Sequence, residues 1–317
     1  MMRMRRPLWV ALLFVLPGEA QAQRAVTVRA DNDAFNFWQL PWARPDEEYT
    51  SGVRLTSQYA GAAPWARRLE HALGGCRGAS APCSSHTYAI GQDIYTAVRA
   101  ADAPVAEPGG RPDAGVLWLA ATTRVERQSA LTELGWTVGV TGKPSLAQSM
   151  QQLFHDMAPS FNRPIAWGEQ VPAEPVFAAS LDTRRLAHAG VLEIQSHGGA
   201  SLGTLLTEAR AGVALRLGTH LMHPWMLESS GNALHVAFEG DATTRAVARN
   251  EVLNGAFFRH SVRVTPRPLV TELQGGLRVR WRMFEGAWMA HQTSAEYVTR
   301  RTPHVWSTLE ASWFPRR

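Results

Sequence analysis

Along most of this chain, apolar and polar side chains alternate in segments of about ten residues. In the clearest of them, Glu272, Gln274, Arg278 and Arg280 are interleaved with Leu273, Leu277, Val279 and Trp281. A period of two is that of an extended strand with one apolar and one polar face. Before residue 145 the pattern predicts strands at 25–30, 49–59, 86–96, 116–127 and 131–140. Beyond residue 170 it predicts them at 176–186, 191–202, 209–221, 233–245, 265–282, 284–297 and 304–314. About twelve strands of this length, in a chain with an export signal, are the signature of an all-β, transmembrane antiparallel β-barrel. The final segment ends in Trp313-Phe314, an aromatic strand terminus of the barrel kind. A soluble β-sandwich or lipocalin-like barrel has similar strand and turn spacing. The discriminating feature is where the aromatics sit, because a lipid-facing barrel places them near strand ends.

Residues 1–22 are expected to be a cleaved signal peptide. MMRMRR is charged, PLWVALLFVLPG is apolar but too short to span a bilayer, and Ala20-Gln21-Ala22 is a small-x-small cleavage site. Residues 23–317 then form one barrel domain carrying functional loops. Removing the signal takes away three arginines and one glutamate, which lowers the formal charge from +5 to +3. That excess is too small to argue for a nucleic-acid partner. Lys143 is the sole lysine, so the basic character is arginine, suited to bidentate contact with phosphate or carboxylate. Cys76 and Cys83 are the only cysteines, and export permits a structural disulfide between them across a turn-rich loop.

One stretch breaks the strand pattern. In SLAQSMQQLFHDM (145–157), Leu146, Met150, Leu153, Phe154 and Met157 recur at spacings of three and four, which predicts a short helix with Ser145 as N-cap. Gln151 and His155 are four apart and project from one side of it, so His155 is a candidate general base. Asp31, Asn32, Asp33 and Thr50 lie at adjoining strand ends and can meet across a hairpin. Hard oxygen ligands of this kind suit Ca²⁺, and with a His nearby they compose a metal-assisted hydrolase. A competing pattern, Gly199-Ala200-Ser201-Leu202-Gly203, matches the nucleophile elbow G-x-S-x-G but lacks the helix that motif requires. His86, His188 and His197 show no metal-ligand spacing and are expected at pore-lining or surface positions.

Six blocks in order, DNDAF (31–35), YTSG (49–52), GQDIYT (91–96), RPDAGVLWL (111–119), GVTGKPSLAQSMQQLFH (139–155) and AWGEQ (166–170), resemble the lipid A 3′-O-deacylase (LpxR) family of outer-membrane enzymes. They cover the first half of the mature chain; the second half matches only as barrel strands. The resemblance implies a Ca²⁺-dependent esterase of the outer membrane of a Gram-negative bacterium, expected to be a monomer. It would release the 3′-acyloxyacyl group of lipid A, the lipopolysaccharide anchor. Carried over by position, the active-site residues are Asn32, Asp33, Thr50 and His155. Gln151 and Arg111 are expected to contact substrate, and Asp33, Asp31 and Glu169 to ligate the metal.

One departure stands out. The family pattern has a Glu six residues after the His; here that place holds Phe161, or Asn162 with one insertion, leaving Asp156 or Glu169 to supply the charge. Two other readings therefore remain: a non-catalytic or porin-like barrel, and an outer-membrane phospholipase.

Overall fold

The computed structural model describes residues 23–36, 48–61, 63–72, 83–98, 108–157, 167–168, 170–189, 191–219, 221–225 and 232–315. Twelve antiparallel strands close into a barrel, each paired with its neighbour in sequence and β1 with β12. They are β1 (Gln23–Asn32), β2 (Glu48–Ala60), β3 (Ser84–Thr96), β4 (Ala114–Glu126), β5 (Ala130–Thr141) and β6 (Pro175–Ala189). The circuit continues with β7 (Leu192–Gly203), β8 (Leu206–Thr219), β9 (Leu234–Asn250), β10 (Leu269–Trp281), β11 (Phe284–Thr293) and β12 (His304–Trp313). Among the described residues, three short α-helices lie in the connections: α1 (Arg67–Ala72), α2 (Ala147–Met157) and α3 (Glu251–Asn254). The strand expectation holds. No helix among the described residues is long and apolar enough to cross a membrane, and crossing is left to the strands.

Alternation sorts the side chains into two environments. Val28, Val53, Leu55, Leu119, Val138, Leu181, Val213, Leu215, Phe238 and Leu273 point outward and are exposed, forming an apolar belt. At one end Phe284 on β11 pairs with Trp281 on β10 and with Trp313 on β12, and all three are exposed. This is the aromatic girdle that marks a membrane boundary. Tight connections at 127–129 and 282–283 lie on that rim together with the longer 61–83, and the longest connection, 142–174, lies on the other with 33–47, 97–113 and 251–268. Barrels of the outer membrane keep short turns inside and long loops outside, so the second rim is extracellular.

The lumen is polar and crossed by ion pairs. Arg278 bridges Glu239 (3.1 Å), Glu285 (2.8 Å) and Glu310 (2.8 Å), and Arg216 joins Glu193 to Glu239. His197 bonds Asp241 at 2.7 Å. These groups surround a cavity of about 610 Å³. Met222 to Trp225 cross its inner mouth: the Trp225 indole donates to the Arg127 carbonyl (2.8 Å) and Arg216 donates to the Met222 carbonyl (3.0 Å). The outer mouth is filled by Ala114, Val116, Val171, Val176, Val252, Leu253 and Tyr297. Ser201 sits within β7 and its hydroxyl accepts from Arg210 (3.1 Å), so the G-x-S-x-G segment is strand and not an elbow. Cys83 is disulfide-bonded; Cys76, like residues 1–22, lies outside the described residues.

Candidate active site

Asp31 and Asn32 are neighbours in sequence on opposite faces of the wall. Arg29 and Thr27 line the lumen, so Asp31 faces inward and Asn32 outward. Asp31 accepts from Arg29 (2.8 Å), the Tyr49 phenol (2.8 Å) and the Thr308 hydroxyl (2.6 Å). Tyr49 also reaches Asp93 (3.2 Å), which takes the Trp118 indole N–H at 2.7 Å, while Thr308 contacts His291 (2.9 Å) and His291 contacts Glu272 (3.1 Å). Asp31 thus belongs to a polar girder running inside the wall from β10 to β4. Expected among the metal ligands, Asp31 is turned away from Asn32 by the period of two, and its oxygens accept from the girder.

The outer face carries a different set. Asn32 pairs in register with Ser51 on β2 and Ser307 on β12. A register shift between Tyr49 and Ser51 inserts Thr50 as an extra residue. The bulge lets Tyr49 point inward while Thr50 turns out, where its hydroxyl meets that of Thr96 at 2.6 Å. Beyond β1 the chain makes a 3-10 turn, Asp33–Phe35, that folds over the outside of β12 and β11. Asn36 donates to the Val305 carbonyl (3.0 Å) and accepts from Ser307 (2.8 Å), and the Trp288 indole donates to the Phe35 carbonyl (3.3 Å). The turn buries the Asp33 carboxylate, 4% exposed.

Facing it across β1–β3 lies α2, packed against β3 and β4. Gly115 makes that possible: a Cβ there would lie 2.2 Å from the Ala147 Cβ and 2.3 Å from the Ser145 hydroxyl. Outward-facing Gln92 donates to the Ser145 carbonyl at 2.5 Å. Gly142 (φ 66°) and Leu146 (φ 60°) set the left-handed bends that lead into the helix. Ser145 is part of a preceding 3-10 turn and is not the N-cap that the sequence predicts. The apolar stripe is not the face that packs on the wall. Ala147 and Gln151 are buried, whereas Leu146, Leu153 and Phe154 are 57%, 48% and 44% exposed. A small-residue stripe fits the wall closely, and the apolar stripe faces outward at the height of the lipid belt.

Two expected substrate contacts are placed as internal ties. The Gln151 carboxamide accepts from the Trp167 indole at 2.7 Å. Arg111 is fully buried between Glu48 (3.1 Å) and Glu296 (3.6 Å), with its guanidinium 4.5 Å from the Tyr95 ring centre. Burial works against its charge, but the two carboxylates outweigh that and hold it more firmly protonated than usual. Glu48 also takes the Tyr297 hydroxyl (2.6 Å) and Arg300 (3.2 Å), so the hub joins three outer connections. His155 follows Gln151 by four positions on α2; its side chain lies outside the described residues, as do Glu169, Phe161 and Asn162. Asp156 is exposed. Among the described residues, no three of His, Cys, Asp and Glu are grouped to hold a metal ion.

Gln92 and Thr96 join the site although the sequence reading singled out neither. Both lie in GQDIYT (91–96), and their even spacing on β3 was the available signal. The result is a lateral polar strip on the outside of the barrel, the candidate groove: Asn32, Thr50, Ser51 and Thr96 lie between the 33–36 turn and α2, and the last three are buried.

Among solved structures the chain is similar to LpxR from Salmonella typhimurium, at 16% identity and a TM-score of 0.72, covering 92% of this chain and 99% of that one. It is less similar to the β-domain of the Bordetella autotransporter BrkA, at 8% identity and a TM-score of 0.46, covering 92% and 99%. No curated protein matches it. The family described as outer membrane protein LpxR matches residues 8–314, a span that includes every strand and the groove residues described above. The chain belongs to the LpxR family of outer membrane proteins.

Proposed function

We propose that this barrel is an outer-membrane esterase that removes the 3′-acyloxyacyl group of lipid A. The observation that carries the reading is the polar strip Asn32, Thr50, Ser51 and Thr96 on the outer wall, beside a helix whose Leu146, Leu153 and Phe154 are exposed. A polar site next to apolar side chains outside the barrel suits an amphiphile that stays in the leaflet. A soluble substrate would instead favour the lumen, which ion pairs cross.

In this reading His155 takes a proton from water, which attacks the ester carbonyl. The acyloxyacyl group leaves as a carboxylic acid and the sugar keeps the hydroxyl. Asn32 and Thr50 offer an amide and a hydroxyl to orient the reacting ester, and Leu146, Leu153 and Phe154 lie where acyl chains would run.

The donor set suits Ca²⁺ in kind: the Asp33 carboxylate with the Asn32 and Thr50 oxygens are hard ligands. When bound, the ion would supply charge to stabilise the oxyanion. Asp33 is the single carboxylate of that set, so the affinity is expected to be weak. The test is mass spectrometry of lipid A from expressing cells, with calcium and with chelator. Loss of one acyloxyacyl mass, abolished by chelator, supports the proposal; an unchanged profile from a folded barrel contradicts it.

A second reading is a non-catalytic relative, favoured by Phe161 where the family pattern has Glu. In its porin version it predicts single-channel conductance, whereas the deacylase reading, with both lumen mouths crossed, predicts a closed barrel. Fatty acid release from phospholipid vesicles lacking lipopolysaccharide would point instead to a phospholipase.

A further inference from the structure

Between α3 and β10 the chain reads GAFFRHSVRVTPRP (255–268), without one acidic side chain. Phe257 and Phe258 are 53% and 61% exposed, their rings edge to face at 5.0 Å. Arg259, His260 and Arg263 are exposed beside them, and neither arginine has an ion-pair or hydrogen-bond partner among the described residues. Two exposed aromatics next to two guanidinium groups that are unpaired among the described residues are an unusual surface for water alone.

The tip is held rigidly. Gly255 turns the chain at φ 75°, where a Cβ would strike the Ser261 hydroxyl at 2.3 Å. The Ala256 N–H donates to that hydroxyl (2.7 Å), and the Val264 N–H to the Leu253 carbonyl (2.8 Å). Glu174 accepts from the Phe257 and Phe258 N–H groups, and the Arg249 guanidinium lies 4.9 Å from the Phe257 ring centre. A preorganised tip loses little freedom on binding.

Its height follows from the same contacts. Glu174 precedes Phe177 by three residues, about 10 Å of strand, and Phe177 belongs to the exposed apolar belt. The tip therefore stands just above the extracellular edge of the belt, at the level of lipid head groups.

We propose that this tip binds outer-leaflet lipid head groups whose phosphate gives them a net negative charge. Phe257 and Phe258 enter the interface, as aromatics do at bilayer boundaries. Arg259 and Arg263 take the phosphate, for which a guanidinium fork is well shaped. The site is separate from the groove and does not rest on the esterase reading.

Native mass spectrometry of the full barrel in a neutral detergent, titrated with dioleoyl phosphatidic acid or dioleoyl phosphatidylcholine, tests it. Wild type should prefer phosphatidic acid. Arg259→Gln with Arg263→Gln should weaken that lipid about 30-fold, roughly fivefold for each charge, and leave phosphatidylcholine unchanged. Phe257→Ser with Phe258→Ser should weaken both lipids. Heat-modifiable migration on gels confirms that each variant is folded. Equal affinity of the double arginine variant and wild type for phosphatidic acid overturns the proposal, as does no preference in wild type. Displacement of phosphatidic acid by equimolar inorganic phosphate would show a free-anion site and overturn it as well.

Discussion

The two sides of this barrel obey one alternation rule with opposite results. On β7 to β10 the outward residues Leu202, Val213, Phe238 and Leu273 are apolar and exposed. On β1 to β3, near the extracellular rim, the outward positions are Asn32, Thr50, Ser51, Ile94 and Thr96; Thr50, Ser51, Ile94 and Thr96 are buried. The far wall needs nothing but lipid against it. The near wall is covered by the 33–36 turn and α2, and its outward face has become a polar interior outside the barrel. The proposed site lies where the wall has been covered.

The largest expected effect comes from lifting that cover. Gly115→Val should drive α2 from the wall, because the first added carbon already meets Ala147 at 2.2 Å. Deacylation is expected to fall about 100-fold, as displacements near 1 Å can cost that much, with heat-modifiable migration unchanged. The far-wall counterpart Gly240→Val has its nearest neighbour, the Gln274 carbonyl oxygen, at 3.8 Å and should leave activity unchanged. Equal behaviour of the two variants would break the comparison.

A smaller effect tests the girder beneath the groove. Tyr49→Phe removes the hydroxyl shared by Asp31 (2.8 Å) and Asp93 (3.2 Å), and should lower stability by about 1–3 kcal/mol in urea unfolding from lipid vesicles. No change in the unfolding midpoint would mean that the girder does not brace the near wall.

The smallest effect lies at the far-side rim. Burial and a hydrogen bond to Glu174 push the Glu251 carboxyl up to about 8. Burial also opposes ionisation of Glu174, but bonds from Glu251 and the Phe257 and Phe258 N–H groups hold it below the usual carboxylate range. Arg249 is the cation at the pair. The folded state keeps a proton on Glu251 that the unfolded chain releases near 4.5. The clasp is therefore strongest near that value: below it the stability that the depressed Glu174 carboxyl contributes is lost, and above it the Glu251 contribution weakens as pH rises toward about 8 and changes no further beyond. Amide exchange at 253–264, corrected for intrinsic rates, should quicken severalfold over that window, and Glu251→Gln should flatten the dependence. A wild-type profile as flat as the variant's would remove the clasp from the account.

The strands were legible because a period of two survives in any environment that differs across a wall. The limits of that reading were local. The segment 265–282 was read as one strand, but β10 begins at Leu269; Pro266 and Pro268 have no N–H to give a ladder, and Thr265 pairs instead with Val298. The helix was legible in place but not in facing. Periodicity finds an apolar stripe, but cannot say whether protein or lipid covers it. Asp31 was grouped with Asn32 because they are adjacent, although the alternation that revealed the barrel sends them to opposite faces. Arg111 and Gln151 were read as substrate contacts because a sequence does not show which polar groups are spent on one another.

The most direct test of the central claim is the lipid A mass profile of cells carrying wild type or His155→Ala, both confirmed folded in the outer membrane. The account predicts loss of one acyloxyacyl mass with wild type and an untrimmed profile with the variant. Equal trimming by both would contradict a groove in which α2 supplies the base.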